Sequence, residues 1–103
     1  MNKSALLFAY VDVIPGKESE LNEWYDNHHI PEYAGKMPLL RSVKRFYSKK
    51  SAPEFLAIYE YDSFDDLKTS LASEEAKAAA EDANKQVGVL IKSISYKTLA
   101  QVY

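Results

Sequence analysis

Two predicted strands in this chain are apolar at nearly every position, rather than at every second one. In the first, Leu7 and Val11 lie on one side and Leu6, Phe8 and Tyr10 on the other. The second, residues 54–61, sets Leu56 and Ile58 against Phe55, Ala57, Tyr59 and Tyr61. An antiparallel sheet with one face in water alternates polar and apolar side chains. A sheet built from these strands must therefore be covered on both faces.

The first third of the chain predicts one strand and one helix. Residues 5–14 are rich in β-forming residues and stop at a Pro-Gly pair, which is typical of a strand that ends in a turn. From Lys17, apolar residues recur at three- and four-residue spacing, which predicts an amphipathic helix. Because Pro31 disfavours the α conformation at Ile30, we expect this helix to fray near His29.

The remainder predicts three strands and a second helical region. Residues 39–47 and 54–61 form a predicted hairpin, and residues 87–103 a long last strand. Ser63, with an acidic residue three positions later, resembles a capping box and begins a helix. A further helix start at Ser73 either continues or kinks that helix through an alanine-rich segment.

The order of these elements, β-α-β-β-α-β, is that of ferredoxin-like α+β folds. In such folds two helices cover one face of a four-stranded antiparallel sheet. The chain offers no further helix for the other face, so we expect a second copy to cover it in a two-fold homodimer. The length of 103 residues predicts a single domain, residues 1–103.

Composition excludes several classes of function. Thirteen basic and 15 acidic residues give no basic surface for nucleic acid. RNA-recognition domains share the strand order, but Pro53 and Glu54 replace the basic residue and glycine of their aromatic motif. The absence of cysteine excludes thiolate catalysis and cysteine-ligated metals. The first apolar run is too short for a membrane or signal segment, which predicts a cytoplasmic protein without a membrane partner.

The segment from Trp24 to Tyr33 concentrates the side chains suited to proton transfer, including both histidines and the only tryptophan. An imidazole can take up and return a proton near neutral pH, which makes His29 the candidate acid/base. On a helix, Asp26 and Tyr25 lie within reach of it, three and four residues earlier. Asp26 is then expected to fix the ring tautomer and Tyr25 to donate to a substrate oxygen. The alternative is a histidine that only caps the helix C-terminus.

Four further residues are candidates for substrate binding, each with a structural alternative. Trp24 and His28 share a helical stripe and could instead pack in or beside the core, and Tyr33 could pack against the helix. Arg41 shares a strand parity with Arg45 and could meet an anionic substrate or simply pair with an acidic neighbour. Adjacent histidines on a helix point about 100° apart, so no metal site is predicted. The strand aromatics Phe8, Tyr10, Tyr59, Tyr61 and Tyr96 line either an aromatic pocket or the core and interface.

The run Glu23-Trp24-Tyr25-Asp26-x-x-His29-Ile30-Pro31-Glu32, followed by residues 40–47, resembles the EthD-like branch of the dimeric α+β barrel superfamily. The resemblance implies a homodimer whose two ferredoxin-like sheets form a barrel, with a pocket between sheet and helices in each subunit. His29 matches the histidine of the family, while His28 stands where relatives more often carry an acidic residue. Leu39 occupies the position of a glycine that usually precedes the second strand.

The superfamily's activities include cofactor-free monooxygenation, muconolactone isomerisation, polyketide cyclisation and haem chemistry. The resemblance therefore implies a small-molecule-binding enzyme that needs no cofactor and uses His29 on an aromatic or polyketide-like substrate. Two alternatives remain open. One is a non-enzymatic ligand-binding or stress-linked accessory protein on the same scaffold, and the other is a haem-binding monooxygenase.

Overall fold

The computed structural model, which describes residues 3–103, has the expected β-α-β-β-α-β arrangement. Its strands are β1 (Ala5–Val13), β2 (Leu40–Tyr47), β3 (Phe55–Tyr61) and β4 (Ile91–Ala100). Its helices are α1 (Glu18–Trp24), α2 (Ile30–Glu32), α3 (Phe64–Leu71) and α4 (Glu74–Asn84). A π-helical turn, Tyr25–His29, joins α1 to α2, and a 3₁₀ turn, Ala34–Lys36, precedes β2.

The four strands form one antiparallel sheet in the order β2-β3-β1-β4. Alternate residues of the two central strands are buried beneath the helices, beginning with Ala5 in β1 and Phe55 in β3. Ala9 lies opposite Ala57 on one side and Tyr96 on the other. The small side chains of Ala9 and Ala57 leave space above the middle of the sheet. The predicted ferredoxin-like α+β fold is thus confirmed.

Serine side chains cap the two later helices. Ser63 Oγ accepts a hydrogen bond from the backbone N–H of Asp66 at 3.1 Å, as the capping box predicts. Ser73 Oγ accepts from the N–H of Ala76 at the same distance. Because the Ser73 backbone is extended, α3 and α4 are separate helices rather than one continuous helix.

The expectation that the first helix would fray near His29 is wrong. Ile30 keeps α-helical dihedral angles, and the backbone continues helically to Glu32. A proline inside an α-helix clashes with the carbonyl four residues earlier. In the π turn the N–H of Ile30 bonds to the carbonyl of Tyr25, five residues back, and this wider turn accommodates Pro31.

The turn before β2 contains a backbone conformation that a leucine seldom adopts. Leu39 has φ of 67°, at the position where the family resemblance places a glycine. The left-handed region costs a residue with a Cβ roughly 1–2 kcal/mol. Leu39→Gly should therefore raise the free energy of unfolding by about 1 kcal/mol, after allowance for the greater freedom of glycine in the unfolded chain. Urea denaturation measures this difference.

Gly88 supplies the matched control, because it has φ of 88° and open space around its α-carbon. Gly88→Ala introduces the strain that Leu39→Gly removes, and should lower stability. A Leu39→Gly protein no more stable than the parent would contradict a left-handed Leu39.

The sheet face turned away from the helices is apolar in its middle and polar along its edges. Leu6, Phe8 and Tyr10 of β1 lie beside Leu56 and Ile58 of β3, and all five are only half-buried. The flanking strands present mostly polar and charged side chains here: Ser42 and Lys44 on β2, and Ser93, Ser95 and Lys97 on β4. Protein interfaces have this pattern of an apolar centre with a polar rim.

Candidate active site

A cavity of about 450 Å³ lies between the sheet and the helices. Much of its wall is apolar, including Leu7 and Ala9 of β1, Met37 before β2, and Ala76 and Ala79 of α4. Four aromatic side chains with polar atoms share this wall, namely Tyr25, His29, Tyr59 and Tyr96. An apolar pocket with a few convergent polar groups is the usual form of a small-ligand site.

The π turn places His29 and Tyr25 side by side beneath the cavity. Both side chains are buried, His29 with 4% of its surface exposed. Trp24 stacks on the imidazole, with ring centroids 4.5 Å apart and planes 21° apart, and Tyr25 meets it edge-on at 5.3 Å. The two rings hold the plane of the imidazole. Single π turns occur frequently at functional sites.

The carboxylate that holds His29 belongs to Asp82 on α4. Asp82 Oδ2 lies 2.8 Å from His29 Nδ1, and both groups are buried. A carboxylate can only accept a hydrogen bond, so Nδ1 carries the proton. The other ring nitrogen, Nε2, then keeps its lone pair and is the one available to a ligand.

The expected contact between Asp26 and His29 is absent, which corrects the assignment of Asp26 as the orienting carboxylate. Asp26 Oδ1 instead accepts a hydrogen bond from Arg45 Nη1 at 2.9 Å, and the Arg45 guanidinium lies 4.4 Å from the Tyr25 ring centre. In a turn closed by a bond five residues long, residues four to five apart share a face. Tyr25 therefore stays beside His29, whereas Asp26 is rotated away from it.

Burial lowers the pKa of His29 below its ordinary value, because an imidazolium is costly in this apolar setting. The hydrogen bond and charge of Asp82 oppose that shift, and the nearby His28 adds to it. The ring is thus neutral near pH 7. A neutral imidazole with Nδ1 anchored and Nε2 free is the form that a general base requires.

His28 lies outside the cavity wall and binds two carboxylates. Its Nε2 is 3.2 Å from Asp82 Oδ1, and its Nδ1 is 2.8 Å from Glu32 Oε2. Asp82 thereby bridges the two histidines. In the described part of the chain, no three His, Asp or Glu side chains are placed to hold a metal ion.

Three of the proposed substrate-binding residues lie away from the cavity wall along with His28. Tyr33 packs against His28, with ring centroids 5.4 Å apart, and Trp24 lies behind His29. Arg41 is exposed and donates to Asp62 at 2.7 Å, so it does not present a cation to the cavity. A register irregularity between Leu40 and Ser42 breaks the strand parity from which that role was predicted.

Sequence reasoning did not identify Asp82 and could not choose among the strand aromatics. Asp82 lies 53 positions from His29 in the sequence. It follows the buried Ala79 by about one turn of α4, so it lies on the buried face of that helix. A carboxylate on an apolar helix face is unusual, and this was the sequence signal that could have identified Asp82. Of the aromatics, Tyr59 and Tyr96 line the cavity. Tyr61 is in the core, with its hydroxyl 2.8 Å from Ser70 Oγ.

The order and pairing of the elements define a ferredoxin-like α+β protein with a cavity between sheet and helices. A crystal structure of an ethyl tert-butyl ether D (EthD) family protein from Bacillus halodurans matches it with a TM-score of 0.75. The match has 24% sequence identity and covers 97% of this chain and 99% of that one. The EthD-like resemblance seen in the sequence is therefore confirmed at the level of fold. No family model and no curated protein matches the sequence.

Two further structures share the fold at lower identity. A candidate antibiotic biosynthesis monooxygenase from Caulobacter crescentus has a TM-score of 0.67 and 18% identity, covering 99% of this chain and 92% of that one. A dimeric protein of unknown function with a ferredoxin-like fold, from Bacteroides fragilis, has a TM-score of 0.61 and 13% identity, covering 95% and 96%. Within residues 3–103, no helix is both long and apolar enough to cross a membrane.

Proposed function

We propose that this protein binds a small aromatic or polyketide-like molecule and catalyses proton transfer on it, with His29 as the general acid/base. The observation that carries the proposal is a buried imidazole on the wall of an apolar cavity, with its Nδ1 held by Asp82. Such an arrangement can remove a proton from carbon and return it elsewhere, as isomerisation and cyclisation require. Cofactor-free oxygenation begins with the same deprotonation.

Asp82 replaces Asp26 as the orienting carboxylate in this mechanism. Its negative charge stabilises the imidazolium that forms when His29 Nε2 accepts a proton. Tyr25 lies beside His29 on the same wall, which supports a role as hydrogen-bond donor to a substrate oxygen. Trp24 acts through His29 by fixing its ring plane, rather than by touching the substrate.

The fold relatives support an enzymatic role without defining the reaction. One is a candidate monooxygenase and another is an EthD family protein, and all share the fold at under 25% identity. Fold alone does not confer an activity. The contacts between His29 and Asp82 are what support proton transfer in this protein.

We further propose that the protein is a homodimer whose two sheets pack against each other. The outer sheet face has an apolar centre containing Phe8 and Ile58, and no helix of the described chain covers it. One of the structural relatives is itself dimeric. A two-fold contact would bury the same surface on both copies.

A non-enzymatic ligand carrier is the second candidate function, and the open side of the cavity favours it. Tyr96, on the wall nearest the sheet edge, keeps 52% of its surface exposed. Enzymes that stabilise reactive anions usually exclude water from them. A carrier would bind the same ligands without changing them.

Hydrogen–deuterium exchange distinguishes the two functions. 2-Tetralone is an aromatic ketone with acidic C–H bonds, and its exchange in D₂O is followed by proton NMR. The protein should accelerate this exchange, and His29→Ala should reduce the acceleration by about 10²-fold or more, because the base is lost.

His28→Gln is the matched control, since it removes the neighbouring imidazole but leaves the one that faces the cavity. It should retain most of the acceleration. Bound 2-tetralone that exchanges no faster than in buffer would favour the carrier. Equal acceleration by the His29→Ala protein would exclude His29 as the base.

A further inference from the structure

Three tyrosine side chains line the same cavity as His29. Tyr25 approaches from the π turn, Tyr59 from β3 and Tyr96 from β4. Tyr59 pairs with Leu7, and Tyr96 with Ala9, so the two tyrosines flank β1 on its helix-facing side. The small Ala9 leaves the space between them open.

The hydroxyls of these three tyrosines differ from that of Tyr61, a fully buried tyrosine of β3. Tyr61 donates to or accepts from Ser70 Oγ at 2.8 Å. In the described part of the chain, no hydrogen bond engages the hydroxyls of Tyr25, Tyr59 or Tyr96. Within residues 3–103, the buried side-chain N and O atoms that lack a hydrogen-bond partner are Asp12 Oδ1 and Trp24 Nε1, so none of the three hydroxyls is sealed away from the cavity or solvent. Tyr25 and Tyr59 are buried, and a buried phenol normally finds a partner, so a ligand in the cavity is the partner available to them. Tyr96 is about half exposed and lines the cavity at its open side.

We infer that the hydroxyls of Tyr59 and Tyr96, with that of Tyr25, form a cradle that binds an anionic substrate oxygen, either an enolate or a phenolate. This inference rests on the proposed function. It specifies the substrates of the protein as molecules with one oxygen atom that becomes or remains negatively charged. Tyr59 and Tyr96 are thereby assigned as substrate-binding residues.

The pKa shifts of the three tyrosines are consistent with a role as hydrogen-bond donors. Burial raises the pKa of all three, and Tyr96 adds to the rise at both Tyr25 and Tyr59. They therefore stay protonated and can donate hydrogen bonds at any physiological pH. The pKa of His29 moves the opposite way, so the imidazole accepts protons while the phenols only donate hydrogen bonds.

The step is balanced without a further reactant. His29 Nε2 takes a proton from the carbon next to the substrate carbonyl, and the C–H electron pair forms a carbon–carbon double bond. The carbonyl π pair moves onto oxygen, where the phenol hydroxyls stabilise the new charge. The imidazolium then returns the proton to the same or another carbon, and the carbonyl re-forms.

Binding of 4-nitrophenol tests the cradle, because its phenolate absorbs visible light and its neutral form does not. The protein should bind the phenolate preferentially, so that the pKa of the bound dye falls by at least one unit relative to buffer. Tyr59→Phe and Tyr96→Phe should each reduce that preference about tenfold, which is one pKa unit. Tyr61→Phe, whose hydroxyl is engaged elsewhere, should leave it unchanged.

Two further measurements distinguish a failure of the tyrosine cradle from a failure of the proposed function. If His29→Gln abolishes the preference while both tyrosine variants keep it, an imidazolium rather than the phenols holds the anion, and the cradle is wrong. The neutral dye N-phenyl-1-naphthylamine tests the cavity alone. If it binds but 4-nitrophenol shows no phenolate preference, the cradle fails and the cavity stands. If neither dye binds, the proposed function fails as well.

Discussion

Asp82→Asn is expected to reduce the exchange of 2-tetralone by about 10²- to 10⁴-fold, while the protein stays folded. The amide has the shape of the carboxylate but no charge, so nothing offsets the imidazolium that His29 becomes on taking a proton. The pKa of His29 should fall further below its ordinary value, because burial would then act without the opposing charge of Asp82.

NMR titration can measure this pKa directly, since the chain contains only two histidines and a His28→Gln variant assigns them. Glu81→Gln is the control, because it removes one negative charge from the adjacent, exposed position of α4. That variant should change neither the pKa of His29 nor the exchange rate. An Asp82→Asn protein with undiminished exchange would show that His29 does not need its carboxylate.

The fold was predictable from the sequence because its signals are local. Hydrophobic period, the Pro-Gly turn and the serine caps each depend on a few neighbouring residues. Ser63 and Ser73 cap helices where the sequence places them. The apolar character of both faces of β1 and β3 is also visible along the chain.

The site was predictable only in part, because its decisive contacts are not local. The sequence locates His29, but its partner Asp82 comes from another helix. The π turn has no sequence signal comparable to a cap, and it rotates Asp26 away from the position that α-helical spacing predicts. An irregularity in β2 similarly displaces Arg41. Each error came from applying an ideal helical or strand period across a segment that departs from it.

Phe8→Glu should convert the protein from a dimer to a monomer. Phe8 lies at the middle of the apolar sheet face, opposite Ile58 of β3, and its ring meets Tyr10 edge-on at 5.8 Å. If a second sheet covers this face, the new carboxylate would lose its hydration there. Lys97, opposite position 8 on β4, would offset part of that loss, so a cost of about 3 kcal/mol is expected. The dimer dissociation constant should then rise by roughly 10²-fold.

Sedimentation or light scattering distinguishes the 11.7 kDa chain from a particle of twice that mass. Thr69→Glu is the control, because it adds the same charge to an exposed position of α3 on the opposite side of the sheet and should leave the dimer intact. Far-UV circular dichroism separates loss of association from loss of folding. A parent protein that is monomeric at micromolar concentration would show that the outer face tolerates water, because five half-buried apolar side chains would then suffice to shield one another.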